Sequence, residues 1–331
     1  MTGHGPAPGG AGDAPDDLGT LYVVGIGPGL PHGMTVRARE VIREADCVVA
    51  STLYQTFLRE DGTIPPKSST AAVDSDDADP EGATADTGPD TLEAARASVA
   101  ATAADNQWPP GEAAVHPDGD VVEVVQSSMG RQVELADEAF ARVRAGQDVA
   151  HVSGGDPNVY GKADLVYLMA DEWDVHDVPI EVVPGVTAAL GGAAMVGAPL
   201  SNDFCTISLS DTWRGWCEIE EKLRAAAVAG FVVVLYNCWR DYERAIAVLR
   251  EHRTDDAPVA IVNDAGRGAA GRNLDGETYT LTTLGDATAH ADEVGGMGTS
   301  LVVGTHETET WANDYDEFLV TPRGGRDVDD F

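Results

Sequence analysis

The apolar positions of this chain gather into short unbroken runs, most of them closing on glycine, proline or a small polar residue. Leu21 to Gly25 (LYVVG), Cys47 to Ala50 (CVVA), Val121 to Val125, Val149 to Val152, Ile180 to Val183, Phe204 to Leu209, Phe231 to Tyr236 (FVVVLY), Pro258 to Val262 and Ser300 to Val303 all have this form. Runs so short and continuous predict strands buried on both faces. Between them the apolar spacing lengthens to a helical period at Thr35 to Ala45, Arg131 to Ala145, Ala163 to Trp173, Trp216 to Ala229 and Tyr242 to His252. In the first of these Val36, Ala38, Val41, Ile42 and Ala45 share a stripe that leaves the arginines in water, and Thr35 is the predicted N-cap. Strands alternating with helices predict an α/β fold.

Several runs end in loops suited to a ligand. Val149 to Gly161 (VAHVSGGDPNVYG) reads as a buried strand delivering Gly154-Gly155-Asp156-Pro157 at its carboxyl end, where open α/β sheets bind ligands. The two glycines let backbone come close to a ligand, and Pro157 fixes the turn. On its own the segment reads first as an ordinary βα turn with Asp156 as helix N-cap, and its companion loops shift the balance toward a ligand site. Gly25, Gly27 and Gly29 form a second loop. It misses the dinucleotide fingerprint, because Leu30 stands where a third spaced glycine belongs and Pro28 removes a donor. Ser51 and Thr52 stand where a ribose-binding acid would follow the second strand, so NAD is not the expected ligand. Pro184-Gly185 leads into a run of small residues, TAALGGAAM, whose first members Thr187 and Ala188 offer free N–H groups.

The same pattern divides the chain. Residues 1–20 are rich in Gly, Pro, Ala and Asp and are expected to be a disordered tail. A first α/β domain is expected over 21–183, interrupted by an acidic insertion at about 60–120 with one weak helical piece near Thr91 to Ala104. A second is expected over 184–309, with an acidic, loosely attached tail at 310–331.

Charge narrows the setting. Against 21 basic residues stand 56 acidic ones, a net charge of -35, and the lysines are only Lys67, Lys162 and Lys222. Self-repulsion on this scale is tolerable where salt screens it, which predicts a halophilic protein. It also argues against a nucleic-acid partner, since phosphate needs clustered Lys and Arg. Cys47, Cys205, Cys217 and Cys238 are scattered without metal-ligand spacing, and no metal site is expected. Nothing reads as a signal peptide or a membrane span, so a cytoplasmic protein with no membrane partner is expected.

Taken in order, LYVVGIGPG, TVRAREVIREADCVV, SGGDPNVYG, EVVPGVTAA, FVVVLYN and TSLVVG resemble the tetrapyrrole (corrin/porphyrin) methylase family, over about residues 21–59 and 121–306. SSMGRQVELADEAFARVRAGQDVAHVSGGDPNVYG, GAPLSNDFCTISLSD, APVAIVNDAGR and TLTTLGD are similar to its corrin-ring branch. The resemblance implies a two-domain, class III methyltransferase-like fold with the cofactor cleft between the domains. It implies S-adenosyl-L-methionine as co-substrate, a tetrapyrrole substrate methylated at C-17 with ring contraction in cobalamin biosynthesis, and a homodimer. Carried over by position, the cofactor contacts are Pro28, Gly154, Gly155, Asp156, Val159, Thr187, Ala188, Asn237, Asn263 and Thr299. The chain departs from that branch at Cys238-Trp239-Arg240 and at Asn158, Lys162 and Asp164.

Methyl transfer asks mainly for alignment and exclusion of water. Ring contraction also moves protons, for which Asp211 and Ser210 are the candidates; Asp211 is equally readable as a turn cap. A polycarboxylate substrate needs local cations in so acidic a chain, and Arg131, Lys162, Arg240 and Arg267 sit at strand-end loops, where each is equally readable as a solvated side chain. Other corrin-position methylases (such as a precorrin-4 C(11)-methyltransferase), the diphthamide-synthesis methylase and a non-catalytic nucleotide-binding module are the alternative readings.

Overall fold

A computed structural model describes residues 18–29, 33–67, 94, 97, 111–212, 214–268, 276–324 and 329. Most of the expected N-terminal tail, most of the insertion and of its weak helix, and Trp213 lie outside the described residues. The chain forms two compact units. Residues 1–26 and 34–185 make the first; Gly27–Gly33 and Val186–Phe331 make the second.

The first unit runs β1 (Leu21–Gly25), α1 (Val36–Glu44), β2 (Cys47–Ala50), α2 (Thr52–Glu60), β3 (Glu112–Val115), β4 (Val121–Gln126), α3 (Gln132–Arg144), β5 (Val149–Ser153), α4 (Ala163–Glu172) and β6 (Ile180–Val183). Its six strands lie in the order β3-β4-β2-β5-β1-β6, parallel except for the β3–β4 pair. The sheet is covered on both faces. Ala38, Val41 and Ile42 of α1 and Leu58 of α2 pack on one side of it, and Leu135, Phe140, Val166 and Met169 of α3 and α4 on the other. This double cover is why the strands read as unbroken apolar runs. Thr35 caps α1 by accepting the Ala38 N–H at 3.1 Å. Strand β3 falls inside the stretch that the sequence assigned to a solvated insertion. Its EAAV is too short and too rich in alanine to stand out, and its pairing with β4, with Ala113, Ala114 and Val115 all buried, is what makes it a strand.

The second unit runs α5 (Ala188–Met195), β7 (Gly197–Ala198), β8 (Phe204–Ser208), α6 (Trp216–Ala229), β9 (Val232–Tyr236), α7 (Tyr242–Arg250), β10 (Pro258–Asn263), β11 (Thr278–Thr283), β12 (Thr299–Val303), β13 (Glu309–Ala312) and β14 (Glu317–Val320). The main sheet has the order β11-β10-β12-β9-β8. β8 and β9 are parallel, while β12 runs antiparallel to both β9 and β10. Ile219, Leu223, Ile246 and Leu249 of α6 and α7 cover one face, and Ala189 and Val196 from α5 and its C-terminus lie on the other.

Residues 310–324 are not a loose tail. β13 and β14 form a hairpin, and β14 adds β7 to make a three-stranded sheet. Leu319 is fully buried against Val232, Val234 and Val262, so one apolar side chain fastens a segment whose composition reads as solvated. Among the described residues no helix is long and apolar enough to cross a membrane.

Candidate functional site

In the first unit the parallel strands deliver their carboxyl ends to one edge. Register sets Gly25 opposite Ser153 and Val24 opposite Val183, so the loops after β1, β5 and β6 leave side by side. They are packed to backbone contact. A Cβ on Gly25 would lie 2.7 Å from the Gly155 carbonyl oxygen, and one on Gly185 would lie 2.2 Å from the same atom. Gly155 has φ 67°, a left-handed conformation that glycine adopts without strain. Asp156 locks this arrangement. One of its carboxylate oxygens accepts the Asn158 N–H at 2.8 Å, and the other accepts the Gly185 N–H at 3.1 Å. Asp156 therefore stitches the end of β5 to the end of β6 and does not cap α4, whose N-cap is Lys162. Tyr54, on α2, lies over Gly154, where a Cβ would meet its hydroxyl at 2.2 Å.

On the same edge Lys162 crosses from the start of α4 toward β4 and β5. Its Nζ donates to Ser127 Oγ at 3.2 Å and lies 3.5 Å from His151 Nε2. Burial pushes the Lys162 ammonium down to about 8. Burial, and then the Lys162 charge, push the His151 imidazole down to about 3. Arg131, by contrast, pairs with Glu134 at the surface.

In the second unit the carboxyl ends of β8, β9 and β10 and the start of β12 share an edge. Asn263 and Thr299 stand opposite one another in register, and the Thr299 hydroxyl donates to Asn263 Oδ1. Asn263 Nδ2 donates to the Glu293 carbonyl at 3.0 Å. Asn237 sits just past β9 at φ 54° and donates to Ser208 Oγ at 3.0 Å. The Tyr236 hydroxyl accepts the Ala189 N–H at 2.7 Å and bonds the Thr187 hydroxyl, closing the first turn of α5. Thr187, Asn237, Asn263 and Thr299 thus spend side-chain polar groups inside the unit. What they leave for a ligand is largely strand-end backbone.

Pro28 packs within this second unit, 2.9 Å from the Cβ position of Gly266 and 3.0 Å from that of Gly191. Arg267 holds it there: Nε donates to the Pro28 carbonyl at 2.9 Å and NH1 to the Asp264 carboxylate at 3.0 Å. The Arg267 guanidinium, offered by the sequence as a substrate cation, is thereby engaged as a brace for the loop. Arg240 pairs with Asp211 at 3.2 Å, stacks 4.8 Å over the Trp239 ring and lines a cavity of 340 Å³ with Trp239, Tyr242 and Arg244. Ser210 bonds Thr212 at 3.1 Å. Asp211 and Arg240 are thus brought together at the ends of β8 and β9.

Tyr54, Ser127, His151 and Tyr236 were not singled out from the sequence. Ser127 follows a strand and could have been found as a strand-end polar residue. His151 is hidden by its place inside an apolar run, and the two tyrosines look like ordinary core.

The family model of tetrapyrrole (corrin/porphyrin) methylases matches residues 20–270. The chain is 36% identical over 207 residues to a probable cobalt-factor III C(17)-methyltransferase of Salmonella typhimurium, covering 61% of this chain and 80% of that protein. It is 38% identical over 210 residues to a precorrin-3B C(17)-methyltransferase of a Sinorhizobium species, covering 60% and 78%. It is also 32% identical over 314 residues to a cobalt-factor III methyltransferase of Priestia megaterium; there it covers 92% of this chain but spans 45% of the longer relative. Among solved structures, the methyltransferase CobJ superposes with a TM-score of 0.63 at 21% identity, over 92% of this chain and 100% of that one. The uroporphyrin-III C-methyltransferase of Thermus thermophilus, complexed with S-adenosylhomocysteine, gives 0.53 at 21% identity, over 86% and 97%. At these identities the structural likeness establishes the fold.

Proposed function

This chain belongs to the tetrapyrrole (corrin/porphyrin) methylases, and on that premise we propose that it transfers a methyl group from S-adenosylmethionine to C-17 of precorrin-3B or its cobalt-containing counterpart, with ring contraction. The observation that carries this reading is the glycine-lined junction of β1, β5 and β6, where Gly25 and Gly185 leave no room for a Cβ beside the Gly155 carbonyl and Asp156 fixes the turn.

The residues fit such a cofactor by their backbone. Gly154, Gly155, Asp156, Val159, Pro28, Thr187, Ala188, Asn237, Asn263 and Thr299 are the residues that would hold it. When bound, the cofactor supplies an electrophilic methyl group on a sulfonium. The Asp156 carboxylate places negative charge at a strand end, and its two backbone hydrogen bonds keep that charge fixed. The preset loops contribute alignment, which is most of what this transfer asks of a protein. Asp211 is the acid–base candidate for the proton movements of ring contraction, with its carboxylate oriented by Arg240, and Ser210 beside it.

The enzyme is read as a homodimer working in concentrated salt, with 56 acidic residues against 21 basic ones as the ground for the salt requirement. Calorimetry with S-adenosylhomocysteine in molar KCl should give one site per chain. Incubation with precorrin-3B or cobalt-factor III and S-adenosylmethionine should then add one methyl group to the macrocycle. Absence of S-adenosylhomocysteine binding sinks the reading. Methylation of a different macrocycle reassigns the position and keeps the reaction class.

A further inference from the structure

Most described arginines face a carboxylate, as expected where acids outnumber bases so heavily. Arg253 is mostly buried without one, and its guanidinium instead donates to the carbonyls of Val303, Gly304, Ala226 and Phe231. Lys162 has neither solution among the described residues. Its recorded partners are the Ser127 hydroxyl and the His151 ring nitrogen, and both are neutral.

Among the described residues no carboxylate answers that charge. From β5 comes His151, 2% exposed; an ammonium donating to its Nε2 puts the ring's own proton on Nδ1, which is buried with no hydrogen-bond partner. From the end of β4 comes Ser127, whose hydroxyl is neutral. The neighbouring Asp164 turns its carboxylate to the Leu165 N–H. Lys162 is also the N-cap of α4, the ten-residue helix Ala163–Glu172, and its side chain makes no capping bond. A helix N-terminus carries partial positive charge, so the local field adds to the ammonium where an anion would be favoured. A partly buried cation without a counter-charge is costly, and an anion brought by a ligand removes that cost.

We propose that Lys162 is the receptor for one side-chain carboxylate of the macrocyclic substrate, held open for that anion by Ser127 and His151. This rests on the tetrapyrrole methylase reading and gives that substrate one defined anchor. It also makes binding proton-coupled. Free Lys162 loses its proton near pH 8, and a bound carboxylate holds the proton on, so above that pH each binding event takes up a proton.

The test uses uroporphyrin III, a planar octacarboxylate, as probe, titrated into the full chain with S-adenosylhomocysteine bound, in molar KCl at pH 7 and pH 9. Wild type should bind about tenfold more weakly at pH 9, with proton uptake seen by calorimetry in two buffers. Lys162→Arg, charged throughout, should bind equally at both pH values and take up no proton. Lys162→Met should bind roughly tenfold or more weakly than wild type at pH 7, also without pH dependence. Lack of probe binding by wild type, equal wild-type affinity at the two pH values, or a pH dependence kept by Lys162→Arg overturns the proposal, even if Lys162→Met fails to fold. S-adenosylhomocysteine binding by wild type is read separately, and its loss alone counts against the family reading.

Discussion

Arg142 and Lys162 both carry positive charge into the first unit, and their surroundings differ in kind. Arg142, on α3, is fully buried and donates to Glu123 at 2.8 Å and to Glu138 at 2.7 Å. Burial alone works against its charge, but bonds to these carboxylates more than offset this and hold its pKa above the ordinary value. Glu123 also accepts the Gly111 N–H, which ties the approach to β3 into the same cluster. Lys162 faces a hydroxyl and an imidazole and has its pKa pushed down. A charge enclosed by its own counter-ions is closed to ligands and serves the fold. A charge left without them, at the ligand edge of the sheet, is a vacancy for an external anion.

The largest expected effect comes from breaking the closed cluster. Arg142→Met leaves Glu123 and Glu138 unpaired inside the unit and should cost about 3–5 kcal/mol by chemical denaturation. A loss under ~1 kcal/mol would show that the two carboxylates find other partners.

The His151 imidazole sharpens the other side. Its folded pKa of about 3 lies below the unfolded value of ~6.5, so between these pH values the unfolded chain binds the extra proton. Stability should therefore fall as pH drops from about 6.5 toward 3. His151→Leu should flatten the fall between pH 6.5 and 5, where few carboxylates titrate, and the wild-type ring should still be neutral by NMR at pH 5.

Lys162 gives a smaller effect of the same sign, at higher pH. Its folded pKa of about 8 lies below the unfolded ~10.4, so the unfolded chain again holds the extra proton, and wild-type stability should rise through that window. Lys162→Met should be at least as stable as wild type at pH 7.5, with the gap closing by pH 10. Marked destabilisation at pH 7.5 would place Lys162 with Arg142 as a structural charge.

The smallest effect belongs to an exposed pair. Lys222 and Glu218 lie one helical turn apart at 2.6 Å, and Lys222→Ala should change stability by less than ~0.5 kcal/mol. It is the background against which the buried cases are judged.

The contrast also marks how far sequence reading reaches. Most strands of the two main sheets announce themselves as apolar runs, and Thr35, Gly154, Gly155 and Asp156 are legible because caps and strand-end turns demand particular residues. Partnerships across register are not. Asn263 and Thr299 meet because β10 and β12 run antiparallel, and the Tyr236 hydroxyl reaches Ala189 across 47 positions of sequence. Arg142 reads as one more solvated arginine of an amphipathic helix until Glu123 is seen beside it. The hairpin of β13 and β14 is invisible for a related reason, because its anchor is the burial of Leu319 and its flanks are acidic.

The loop at Gly27–Gly33 packs as part of the second unit although it precedes nearly all of the first. Its Pro28 carbonyl is the acceptor for Arg267, a residue that leaves the ribosome 239 positions later. During synthesis, then, this loop must be kept available while the intervening chain is made, and the second unit is incomplete until it arrives. Splitting the gene after Gly185 would separate Pro28 from Arg267. The C-terminal product lacks the segment that Arg267 braces, and the N-terminal product carries a glycine–proline loop with nothing to dock on. The two units are separate bodies of packing and a single unit of manufacture.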